Sequence, residues 1–212
     1  MSVVDLDDLA ARAAALAEAD PARRVLVGLV GAPGSGKSTL ARRLANRLSA
    51  RGVPSVRVPM DGFHLADVAL LERGLLARKG AVETFDAHGY LALLRRLRAE
   101  TDHDVLAPGF ERDLEQPLAA SITIAPEHRV VVTEGNYLLD ADEPWPDVRR
   151  ELDAVWFVDL DDGRRRSRLV MRHVKHGKSR EDAQAWVDDV DEPNARRVLA
   201  RRDQADLVVP SP

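Results

Sequence analysis

Apolar positions along this chain fall into two rhythms, one helical and one continuous. Residues 6–18 carry leucine and alanine at helical spacing and are closed by Asp20-Pro21, which predicts an amphipathic first helix. Residues 25–30 form an unbroken β-branched and leucine run between Arg23-Arg24 and Gly31, the pattern of a strand covered on both faces in a parallel sheet. From Lys37 the leucines at 40, 44 and 48 mark one face of a helix that ends at Gly52. Residues 25–52 thus read as a strand, a glycine-rich turn and a helix.

The same reading continues downstream. Residues 55–59 alternate as a short strand and deliver Met60-Asp61-Gly62-Phe63-His64 at its carboxyl end. Residues 65–79 are predicted helical, 80–85 a loop, and 87–100 a second strong helix with Leu91, Leu94 and Leu97 on one side. Residues 101–117, with two prolines, a glycine and mixed charge, are predicted to be a surface excursion. Strands are expected at 121–125, 130–133 and 154–158, helices at 162–176, 180–189 and 193–202, and a last edge strand at 207–209. Strands alternating with helices predict an α/β fold, a doubly wound parallel sheet flanked by helices, in one domain over all 212 residues. Ligands of such sheets gather outside the carboxyl ends of the strands. The glycine turn, Asp61, Glu134 and Asp159 all fall there.

Composition narrows the chemistry. With 31 basic and 35 acidic residues the net charge is −4, which argues against a general nucleic-acid binder. Cysteine is absent, so disulfides, thiolate zinc sites and cysteine nucleophiles are excluded, leaving oxygen, nitrogen or a hard metal. No apolar run approaches a membrane span and the start of the chain is acidic where a signal peptide is basic, so the expectation is a cytoplasmic protein with no membrane partner. A homodimer is the default assembly of such a protein. Only Lys37, Lys79, Lys175 and Lys178 are lysines among the 31 basic residues, so a lysine inside a motif carries extra weight.

Gly31-Ala32-Pro33-Gly34-Ser35-Gly36-Lys37-Ser38, followed by Thr39, satisfies the phosphate-loop pattern. Glycines let successive N–H groups turn inward around a triphosphate, the lysine reaches the terminal phosphates and the serine hydroxyl ligates Mg2+. Glu134, an acid ending a hydrophobic strand, is the candidate second metal residue, with a capping role as its alternative. Asp61 could accept the proton of an attacking hydroxyl, or could simply form an Asp-Gly turn. Arg164, Arg165, Arg166, Arg168 and Arg172 crowd one helix, and Arg165, Arg168 and Arg172 share a face. That helix could close over phosphates as a small helical lid at residues 162–180, or be a solvated basic helix paired with the acids at 181–192. Of nine aromatics, Phe63, Phe85, Tyr90, Phe110 and Tyr137 lie in or beside these segments and could shape a small-molecule pocket, with His64 a hydrogen-bond partner for substrate. No His/Asp cluster has metal-ligand spacing, and the Asn-Lys-x-Asp guanine signature is missing.

Taken in order, GAPGSGKST, MDGFHL (60–65), ETFDAHGY (83–90), PGFERDLEQP (108–117), VVVTEGNYLL (130–139) and RRSRLVMRHVKHG (165–177) resemble the phosphoribulokinase, uridine kinase and pantothenate kinase group of phosphate-loop kinases. The likeness spans residues 25–206 and is strongest to bacterial pantothenate-kinase-like proteins often labelled nucleoside/nucleotide kinase family or fructose-transport-system kinase. It implies a P-loop NTPase fold of nucleoside-kinase type and transfer of phosphate from ATP, with Mg2+, to a hydroxyl of a small metabolite. Asp61 then stands where the group has its catalytic acid, and Glu134 where it has the acid of the metal-side strand. Arg168 and Arg172 match the lid pattern Arg-Leu-x-x-Arg, while Phe110 and Arg112 sit on the substrate loop. Asn194, in Glu192-Pro193-Asn194-Ala195, is placed near the adenine. Phe63, His64, Phe85, Phe110, Arg112 and Tyr137 would form the acceptor pocket. Asp61-Gly62-Phe63-His64 departs from the Asp-x-Phe-Tyr of uridine kinases, and the chain is shorter than pantothenate kinases, which speaks against either substrate. The alternative function is a regulatory nucleotide-binding module that hydrolyses ATP slowly or not at all; a hydrolytic ATPase would leave the aromatic pocket unexplained.

Overall fold

The computed structural model describes residues 5–211. Five parallel strands, β1 (Val25–Val30), β2 (Ser55–Pro59), β5 (Val130–Gly135), β6 (Ala154–Asp159) and β7 (Leu207–Pro210), form one sheet in the order β2-β5-β1-β6-β7. The run in β1 is unbroken because both of its faces are covered. Val25, Val27 and Leu29 point to one side, against α1 (Leu6–Ala19) and α2 (Lys37–Ala50), through Leu9, Ala13, Leu40, Leu44 and Leu48. Leu26 and Val30 point to the other, into a core with Tyr90, Leu94 and Leu97 of α4 (Ala87–Ala99), Trp145 and Val148 of α5 (Trp145–Glu151), and Val198 of α8 (Glu192–Leu199). Period-2 geometry thus splits one apolar run between two half-cores.

Several elements differ from the sequence expectation. The segment 101–117 is no irregular excursion: β3 (Val105–Glu111) pairs antiparallel with β4 (Gln116–Ile124) in a separate hairpin with a register shift between Ala107 and Gly109. The stretch 65–79 is one short helix, α3 (Asp67–Glu72), stopped by Gly74 at φ 67°, then a 3-10 turn Leu76–Arg78. Helix α5 was not anticipated. Strand β2 lies at the sheet edge, separated from β1 by β5. Helix α6 (Asp162–Lys175) is followed by α7 (Arg180–Trp186), which runs through a π-helical turn Val187–Asp191 into α8. Among the described residues no helix is long and apolar enough to cross a membrane.

Candidate active site

Three functional segments leave the sheet at one level. Glu134 of β5 is in register with Leu29 of β1 on one side and Pro59 of β2 on the other, so Gly31 and Asp61 each follow two residues later. The loop between β1 and α2 turns through Gly34 (φ 80°) and Gly36 (φ 92°), a left-handed backbone that a side chain would strain. Gly36 caps α2 without any side-chain hydrogen bond, leaving the first N–H groups of the helix for an anion.

At this edge Lys37, 9% exposed, lies within the electrostatic reach of two carboxylates. Burial lowers its pKa, while Glu134 and Asp61 act to keep it charged. Ser38 Oγ donates to Glu134 Oε2 at 3.0 Å, and Arg57 Nη2 holds Glu134 Oε1 at 3.2 Å. Burial (1% exposed) and then the Asp61 charge raise the Glu134 pKa. A hydroxyl and a carboxylate oxygen side by side are donors for a hard cation, and Mg2+ usually takes only one or two protein carboxylates, the rest being water and phosphate. The residues present fit that ion. Consistently, among the described residues no group of three or more His, Asp or Glu could hold a metal alone.

Burial acts to raise the Asp61 carboxyl, but His64, Lys37, Arg112 and Arg172 outweigh it and hold the pKa below the ordinary value. Burial drives His64 toward neutrality, so the lasting part of that field comes from Lys37, Arg112 and Arg172. Arg112 Nη2 is 3.6 Å from Asp61 Oδ2. The His64 ring donates from Nδ1 to the Asp61 carbonyl at 2.8 Å.

Gly62 has a role other than a sharp turn, since its φ is not positive. A Cβ there would sit 2.3 Å from the Pro108 carbonyl oxygen, so the absence of a side chain lets the β3–β4 hairpin pack directly on the Asp61 segment. Gly62→Ala is expected to cost about 1–3 kcal/mol by overpacking, read as a lower melting temperature. An unchanged melt would mean that the hairpin is not seated there.

The helix predicted as a lid is anchored at its base. A Cβ on Gly34 would meet Leu169 Cγ at 2.8 Å and the Arg165 carbonyl at 3.0 Å. Arg165, 2% exposed, reaches Pro33 O at 3.4 Å and Asp162 at 2.9 Å, and its guanidinium also grips Glu192 at the start of α8. Arg166 pairs with Glu192 at 3.1 Å and with Asp188, and His173 with Asp191 at 2.8 Å. Helix α6 is tied along its length to the acids at 188–192, as the paired-helix reading expects, and its far end presents Arg172, His173 and His176 to a cleft.

That cleft, about 720 Å3, receives Pro33, Lys37, Ser38, Asp61, His64, Phe110, Arg112, Arg172 and Asn194 of the sequence candidates. Arg168 is elsewhere, with its Nη1 on Ser211 Oγ at 2.9 Å beyond β7. Phe63 packs edge-on against Tyr90 at 5.3 Å, and Phe85 lies behind His64. Tyr137 is buried, its hydroxyl donating to Gly80 O at 2.7 Å. These three rings support the cleft and do not line it. Asn194 is on the wall beside Gly80, 3.4 Å from its carbonyl. Sequence reasoning missed Asp67, Lys79, Glu115, Asn136, Lys178, Trp186 and Asp191, all cleft residues. One signal was available: three of the four lysines, Lys37, Lys79 and Lys178, line it.

A family model described as the phosphoribulokinase / uridine kinase family matches residues 26–212. YggC of Escherichia coli (strain K12) is 34% identical over 200 residues, 92% of this chain and 81% of that protein. A candidate fructose transport system kinase of Silicibacter sp. TM1040, known from a crystal structure, is 42% identical with a TM-score of 0.86, covering 95% of this chain and 98% of that one. YFH7 of Saccharomyces cerevisiae, at 21% identity and a TM-score of 0.87 over 98% of both chains, shares the fold.

Proposed function

Because this chain belongs to the phosphoribulokinase and uridine kinase family of P-loop kinases, we propose that it transfers the terminal phosphoryl group of ATP to a hydroxyl of a small molecule. The observation that carries this reading is the meeting of Lys37, Asp61 and Glu134 at one edge of the sheet, with Ser38 bonded to Glu134. The loop amides and Lys37 hold the terminal phosphates. Ser38 and Glu134 would hold Mg2+, which offsets phosphate charge when bound. Asp61, ionised at neutral pH, orients the acceptor and takes its proton. The acceptor oxygen forms its bond to the γ-phosphorus as the bond to the β–γ bridging oxygen breaks, releasing ADP. Arg172, whose side chain lines the cleft within the electrostatic reach of Asp191, Asp61 and Glu115, steadies the transferring group. Arg168, bonded to Ser211, is given no part in transfer.

The test is ADP release from MgATP across a panel of small alcohols, with Lys37→Ala as the blank. Release proportional to one acceptor supports a kinase; release indifferent to every acceptor would point to plain ATP hydrolysis. Glu134→Gln is expected to raise the Mg2+ concentration for half-maximal turnover by about 10- to 100-fold. An unshifted Mg2+ titration removes Glu134 from the metal site.

A further inference from the structure

The aromatic rings of the cleft are already engaged by this chain's own side chains. His64 lies against Phe85, with centroids 4.0 Å apart, and against Phe110 at 4.9 Å. Phe110 carries the Lys79 ammonium 5.9 Å and the Arg112 guanidinium 6.0 Å from its centroid. Trp186 carries Lys178 at 4.3 Å and has His173 beside it at 6.3 Å. A nucleobase is bound largely by stacking on an open ring face, and a ring covered by a cation or another ring offers it little.

What the cleft does offer beside Phe110 is hydrogen bonding from groups whose charges are already paired. Lys79 Nζ is paired with Asp67 Oδ1 at 2.6 Å and also bonds the Glu115 carbonyl. Arg112 faces Asp61 at 3.6 Å. Lys79 and Arg112 therefore each have a carboxylate at hand and do not call for an anionic ligand. Asn136, another cleft residue, has a solvent-shielded Oδ1 with no hydrogen-bond partner among the described residues. Asn194 Nδ2 lies 3.4 Å from Gly80 O. Carboxylate and amide oxygens accept, and ammonium and amide nitrogens donate; a hydroxyl does both, so adjacent hydroxyls match such a mixed wall.

Resting on the kinase reading above, we propose that the acceptor is a neutral, non-aromatic polyol of monosaccharide size, recognised through Asp67, Lys79, Glu115 and Asn136. The engaged rings leave a nucleobase little to stack on, and the Lys79–Asp67 and Arg112–Asp61 pairs leave those two cations without need of an anionic acceptor.

The experiment uses the full chain and two readouts. ADP release with MgATP is compared across neutral monosaccharides and alditols, nucleosides, and hydroxy acids with sugar phosphates. Calorimetric binding of the same compounds is measured with a non-hydrolysable ATP analogue. A neutral polyol that binds and turns over, with nucleosides inert, is the expected result. Asp67→Asn and, separately, Asn136→Ala should each raise its KM by about tenfold, more than they change kcat, with the KM for ATP unmoved. Turnover of a nucleoside or an anionic acceptor in preference to every polyol overturns the inference while leaving the kinase reading intact. Polyol binding without transfer, weakened by Asp67→Asn, keeps the inference and removes the kinase reading. Silence from every neutral polyol in both readouts overturns it as well.

Discussion

Asp61→Asn is expected to reduce phosphoryl transfer by about 10²- to 10⁴-fold at saturating acceptor, with MgATP binding retained. The amide keeps the shape of the carboxylate and can still orient a hydroxyl, but it cannot take the proton. The fall should appear in kcat, since Arg112 and Arg172 remain to shape the site while the base is lost. On the proposed reading the loop amides and Lys37 hold the nucleotide, and removing one negative charge near Lys37 should not weaken its binding. Single-turnover transfer together with equilibrium ATP binding separates the two. Wild-type transfer in Asp61→Asn would show that another group takes the proton; loss of ATP binding would show a structural role for Asp61.

The largest expected loss of stability lies outside the active site. Arg24, just before β1, is 2% exposed and its guanidinium satisfies four carbonyls. They are His128 at 3.0 Å, Leu97 at 2.8 Å, Glu100 at 3.1 Å and Ala125 at 3.2 Å. One side chain therefore ties the end of α4 and the turn before β5 to the start of β1. Arg24→Ala leaves those carbonyls without their donor and opens a cavity, a loss on the order of 3–4 kcal/mol, or roughly 10 °C in melting temperature. Lysine should not rescue it, because one ammonium has neither the planar fork nor the number of donors. A melting curve that does not move in Arg24→Ala would assign those carbonyls to solvent.

In the sequence, Arg23-Arg24 marked only a boundary, because nothing local says which arginine turns inward. What the sequence made legible was contiguous. The phosphate loop is one unbroken motif, and β1, β5 and β6 stand out because burial on both faces demands apolar residues at every position. Strand β4 lacks that signature: residues 118 to 121 are exposed, and Pro108-Gly109 interrupts its partner where the register shifts. The arginine helix shows the same limit from another side. Periodicity correctly puts Arg165, Arg168 and Arg172 on related turns, but it cannot say that Gly34 draws the loop beneath Arg165 and Leu169. That tertiary contact gives Arg165 to the loop and Arg172 to the cleft, while Arg168 turns to Ser211. Asp67, Lys79 and Glu115 meet only after α3 and the hairpin have folded together, so no spacing rule could have joined them.

The position of β5 between β1 and β2 would make the sheet a ruler for the proposed reaction. Neighbouring strands stand about 4.8 Å apart, so the backbone that cradles the donor and the backbone that carries Asp61 are held roughly two such intervals from each other. A phosphorus atom and an incoming oxygen can both fit within that span, and hydrogen-bond ladders on either side of Glu134 keep it constant. On the proposed reading, donor and acceptor would thereby be spaced by main-chain architecture, which leaves side chains to choose the guest.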